Sequence, residues 1–138
     1  MKKTTGWSIL WIGIALATAS APLSAADRIR VGQWEVTTTN NGRTRTFKRC
    51  VSAVEAAAIN GDAKAYRAYY ENEVPNCRFT EYKQDGNLIS SVMTCGSITV
   101  SSVTTYHGDS YVSDAKSKTG AGPDAVAHGT GKRLGDCP

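Results

Sequence analysis

From Val31 onward, outside one stretch between Ser52 and Pro75, side-chain character alternates with a period of two in segment after segment, and that period confines these segments to extended strands. From Val31 to Thr39, Trp34, Val36 and Thr38 alternate with Gln33, Glu35 and Thr37, the pattern of a strand buried on one face. Asn40-Asn41-Gly42 supplies residues that tolerate positive φ, so a tight hairpin into a second strand over Arg43–Val51 is predicted. Further strands are predicted over Phe79–Lys83, Leu88–Cys95, Ile98–Tyr106, Ser110–Lys116 and Ala125–Leu134. Turn-rich segments separate them: Gln84-Asp85-Gly86-Asn87, His107-Gly108-Asp109 and a Gly/Pro loop at 119–124. Short strands joined by hairpins predict a mainly β fold, an antiparallel meander forming either a small barrel or a strongly curved sheet.

The excepted stretch reads as one helical insert between the second and third strands. Ser52-x-x-Glu55 has the form of a capping box, in which hydroxyl and carboxylate satisfy reciprocal backbone donors. A helix over Ala53–Ile59 should follow and end at Asn60-Gly61. Asp62 can cap a second helix from Ala63 to about Glu71. Its Tyr66, Tyr69 and Tyr70 share one face, which is expected to pack the helix on the sheet rather than to stack on a ligand.

The amino terminus carries Lys2 and Lys3, an apolar run from Trp7 to Ala19, and the small residues Ser24-Ala25-Ala26. These are the parts of a secretory signal over residues 1–26. The run is too short to span a bilayer as a stable helix. Residues 27–138 are therefore expected to be a single exported domain, periplasmic or secreted and not membrane-spanning. In that oxidising setting Cys50, Cys77, Cys95 and Cys137 predict two disulfides. Their wide spacing lacks the close pairs of zinc sites, and no C-x-x-C is present. Of the three possible pairings, the one expected is Cys50–Cys77 around the insert, with Cys95–Cys137 tying the carboxyl terminus to the sheet. Strand counting in a strict meander speaks against the second of these, because it sets Cys95 and Cys137 at opposite ends.

Several segments in order also resemble a known family. They are Gly32-Gln33-Trp34-Glu35-Val36-Thr37, Cys50-Val51-Ser52, Asn76-Cys77, Cys95 at a strand end, Tyr106-His107-Gly108-Asp109-Ser110-Tyr111, and Gly131-Lys132-Arg133-Leu134-Gly135-Asp136-Cys137. Together they resemble the domain of unknown function 3617 family of small exported proteins, over nearly all of the chain beyond the leader. The resemblance implies export, disulfides and a mostly β fold, and it implies no reaction. The chain departs from the family in keeping only Met93 where members carry Met-rich stretches, and in its tyrosine-bearing second helix.

Residues with catalytic chemistry form no recognisable pattern. His107 and His128 have no ligand partner at metal-binding spacing, so neither metal nor cofactor is expected. Gly129-Thr130-Gly131-Lys132-Arg133 fails as a phosphate loop, because Val126 stands where glycine is required and Arg133 where Ser or Thr is. No G-x-S-x-G occurs, and nothing selects a carboxylate pair from Glu35, Glu81 and Asp109. Of the formal charge of +4, Lys2 and Lys3 belong to the leader, which argues against a nucleic-acid partner. The leading expectation is a non-catalytic exported domain holding a small or apolar ligand, with Trp34 and Tyr106 contributing to the core or to a pocket. The alternative is a cell-envelope interaction module that uses either the basic strand, where Arg43, Arg45 and Arg49 share a face with Phe47, or an unpaired sheet edge. A hydrolytic enzyme is the third.

Overall fold

The chain orders itself as β1 (Gly32–Asn40), β2 (Arg43–Val51), α1 (Ala53–Asn60), α2 (Ala63–Glu73), β3 (Cys77–Asp85), β4 (Leu88–Cys95), β5 (Ile98–Tyr106), β6 (Ser110–Thr119) and β7 (Ala125–Gly135). This computed structural model describes residues 27–138; the expected secretory signal over 1–26 lies outside them. All neighbouring strands are antiparallel, in the order β2-β1-β7-β6-β5-β4-β3. Consecutive strands are therefore neighbours everywhere except at β2 and β3, while β7 returns beside β1. The order is that of a meander barrel opened along one seam. Of the two expected forms, the sheet takes the open, curved one and does not close. The two helices occupy the connection across that seam.

Local sequence explains the elements. Asn41 and Gly42 both have positive φ (48° and 80°), which gives the β1–β2 hairpin the twist its strands require. Ser52 Oγ accepts from the Glu55 amide at 3.1 Å, so half of the expected capping box forms. The other half is replaced: the Glu55 carboxylate accepts from the Arg49 guanidinium instead. Asp62 caps α2 through the Ala65 amide at 2.8 Å.

The helices pack on one face of the sheet, and the core lies between. Trp34 and Val36 of β1, Val51 of β2, Ile89 of β4, Tyr106 of β5, Ala56 and Ile59 of α1, and Ile29 form one buried cluster. Trp34 is completely enclosed, and its Nε1 donates to the Arg30 carbonyl at 3.0 Å. Gly131 lies opposite Tyr111 in the β6–β7 register, and the Tyr111 ring occupies the space a Cβ at Gly131 would need. The glycine serves aromatic packing within a strand.

An amino-terminal strap closes this core. Arg28 is 5 % exposed, and donates to the carbonyls of Gly86 (2.7 Å), Ile59 (2.9 Å) and Gly61 (3.2 Å). Ile29 bonds through both its amide and its carbonyl to the Asn60 side chain. The strap thereby joins the end of α1 to the β3–β4 turn.

The disulfides correct the expected pairing. Cys50 is bonded to Cys137 and Cys77 to Cys95, so neither Cys50–Cys77 nor Cys95–Cys137 forms. Topology gives the reason. Cys50 and Cys77 lie on opposite edge strands, and Cys95 and Cys137 at opposite strand ends, as strand counting indicated. Cys77 and Cys95 are direct cross-strand partners with Cα atoms 4.1 Å apart. Gln33 is the register partner of both Cys50 and Gly135, which places the carboxyl terminus beside the end of β2.

Two stability predictions follow from these constraints. Arg28→Met leaves three backbone acceptors without their donor and should cost about 3 kcal/mol in urea unfolding; a loss under 1 kcal/mol would show that the strap is dispensable. The disulfides span 87 and 18 residues. On the chain-entropy account they contribute about 4.5 and about 3 kcal/mol. Replacing Cys50 and Cys137 by alanine should therefore destabilise more than replacing Cys77 and Cys95, and the reverse order would contradict that account.

Candidate functional site

The helix-bearing face is lined by aromatic rings. Tyr66 of α2 packs on Tyr70 (centroids 4.6 Å apart), on Tyr82 (5.1 Å) and on Phe79 (5.9 Å). Tyr111 lies between Trp34 (5.7 Å) and Tyr106 (6.0 Å). The tyrosine face of α2 thus packs the helix on the sheet, as its spacing indicated. Tyr69 extends it outward, edge-on to Tyr70 at 5.1 Å. Burial removes the water that would solvate a phenolate, and raises Tyr66 to about 12. Burial raises Tyr70 and Tyr106 as well.

Of the four residues singled out from sequence as pocket or partner contacts, Trp34 and Tyr106 lie inside this filled core. Arg49 stands at its rim and pairs with the buried Glu55. Burial works against the Arg49 charge, but the Glu55 hydrogen bond and charge outweigh it and raise its pKa above the ordinary arginine value. Arg45 is exposed on β2. The register places Arg45, Phe47 and Arg49 opposite Thr38, Val36 and Trp34, so the expected common face for arginines and phenylalanine is present. These four residues do not converge on one cavity.

The space the fold offers lies on the other face of the sheet. Two rows of cross-strand partners traverse it, one formed by Lys83, Ser90, Val103 and Asp114, the other by Glu81, Val92, Ser101, Lys116 and Val126. Between them runs the row Tyr82, Ser91, Ser102, Ala115 and Ala127. Tyr82 of that row packs on α2, so alternation turns the two outer rows away from the helices. All three rows line a groove of about 630 Å³ that crosses β3 to β7. Its lining includes Val92, Val103 and Val126, the last two 45 % and 58 % exposed.

At one side of the groove His128 Nδ1 lies 2.7 Å from Asp114 Oδ1, a cross-strand pair exposed to solvent. That partner was invisible in the sequence because the two residues are 14 positions apart. Among the described residues, no group of three or more His, Cys, Asp or Glu side chains is placed to hold a metal ion. No helix among them is long and apolar enough to cross a membrane. Sequence reasoning missed Arg28, the Glu55–Arg49 pair and the groove. The only signal for the groove was the recurrence of valine on the solvent-side positions of several strands.

The family model described as "Protein of unknown function (DUF3617)" matches residues 29–137. No curated protein and no solved structure matches the chain.

The tyrosine cluster generates a pH prediction. An unfolded chain ionises its tyrosines near pH 10, whereas the folded chain keeps Tyr66 protonated to about 12. The folded state then binds more protons in that window, so stability is intact below pH 10 and falls as pH rises toward 12. Phenolate absorbance should show Tyr66, Tyr70 and Tyr106 ionising only as the protein unfolds. If all six tyrosines titrated together near pH 10 with the fold retained, the cluster would not be closed to water.

Proposed function

The chain belongs to the DUF3617 family, and from that premise we propose that it is a non-catalytic exported domain that binds a small amphipathic ligand along the groove across β3 to β7. The carrying observation is the groove itself, about 630 Å³ walled by valines on a sheet face that no helix of the described residues covers. That volume lies within the roughly 300–1,000 Å³ of ordinary small-molecule sites. Apolar side chains recurring in the walls favour a ligand with an apolar body. Glu81 and Lys83 on β3 are exposed and suit a polar head at that end of the groove. Lys116 is engaged by Asp124 and Asp114 by His128, so these charges frame the groove. The leader-like residues 1–26 support export.

The test uses 1-anilinonaphthalene-8-sulfonate as the probe and the protein purified from a periplasm. Wild type should enhance the dye's fluorescence saturably, and native mass spectrometry should show a reproducible extra mass that is lost on denaturation. Val103→Glu with Val126→Glu places charge in the apolar wall at exposed positions, and should weaken the dye by tenfold or more, about 1.4 kcal/mol. Equal dye binding by the two proteins, or a clean apo mass with no dye binding, would overturn the reading.

A further inference from the structure

The two edges of the sheet are built differently. At the β3 edge the outward backbone of Phe79 is occupied, its amide donating to Glu71 at 3.0 Å and its carbonyl accepting from Arg67 at 3.3 Å. A bulge between Phe79 and Glu81 further breaks that edge. The β2 edge has neither device. Its two-residue turn makes Asn40–Arg43 the closing hydrogen-bonded pair, so the backbone groups of Arg43, Arg45, Phe47 and Arg49 face β1. Those of Thr44, Thr46 and Lys48 face outward, and no hydrogen bond occupies them among the described residues. Hydroxyl pairs Thr37–Thr46 and Thr39–Thr44, each 2.9 Å, tie this strand to β1.

The side chains of β2 say what would fit. Arg43, Arg45, Lys48 and Arg49 lie on it with no acidic residue, and only Arg49 has an ion-pair partner among the described residues. Phe47 is 48 % exposed between Arg45 and Arg49 on the same face. A second copy of β2 laid along this edge would oppose like charges, which disfavours self-pairing. We propose that the β2 edge adds an extended acidic segment of another protein as an eighth strand. Its backbone would bond to the outward groups of Thr44, Thr46 and Lys48. Its glutamates or aspartates would meet Arg43 and Arg45, and an apolar residue would cover Phe47. This surface lies on the opposite side of the seam from β3 and does not depend on the groove.

The probe is a fluorescent peptide of β2's length that alternates threonine with glutamate around a central valine. Fluorescence anisotropy should show saturable binding to the full chain that weakens with added salt. Arg43→Glu with Arg45→Glu, both exposed, should weaken it at least tenfold. The same peptide N-methylated at alternate residues keeps its charges but cannot pair as a strand, and it should bind at least tenfold more weakly. Amide exchange at Thr44, Thr46 and Lys48 should slow when the unmodified peptide is added. Failure of the acidic peptide to bind would overturn the proposal. Equal binding of the N-methylated peptide would overturn it too, by showing charge attraction without strand addition.

Discussion

The pairing of the last strand with the first governs this molecule. Once β7 lies against β1, β2 and β3 are forced to opposite edges although they follow one another in the chain. The connection between them must then cross the sheet, and a run of that length carries its backbone hydrogen bonds most economically as helix. The helices in turn cover one face, which therefore becomes the core and collects the aromatic rings. The same pairing brings the carboxyl terminus beside the end of β2, where Cys137 reaches Cys50.

Within that frame, polar groups also tie the layers together. Arg28 reaches carbonyls of α1, of the α1–α2 link and of the β3–β4 turn. No buried side-chain polar atom among the described residues lacks a partner. Glu55 shows how a local motif yields to its surroundings. Buried at the rim of the aromatic layer, its carboxylate gains more from a guanidinium than from the helix-end amide, because an unpaired charge there would be costly. Gly131 shows the complementary device, a missing side chain that lets Tyr111 lie flat on the neighbouring strand.

The consequence for function is a division of surfaces. The helix-bearing face is filled by its own rings, so Trp34 and Tyr106 act as core. The opposite face presents valine, serine and charged side chains around a groove. Of the two edges, α2 side chains and a bulge protect one, and the other presents cationic side chains and open backbone. Binding at the groove and at the β2 edge would use different physics, apolar burial in one and strand pairing guided by charge in the other.

Features determined within a few neighbouring residues were legible in the sequence: the strands from their period of two, the β1–β2 turn from Asn41-Gly42, and the helix starts from Ser52 and Asp62. The shared face of Arg45, Phe47 and Arg49 follows from the same alternation. The family and its β architecture were legible too, because the motifs fall on those local elements. What joins distant segments was not. The cysteine partners, the Asp114–His128 pair, the carbonyl contacts of Arg28 and the groove across five strands depend on strand order and register. Alternation sets which face a residue occupies but says nothing of which strand lies beside it. That choice belongs to the β1–β7 pairing, a contact between the two ends of the domain that only the tertiary fold could make.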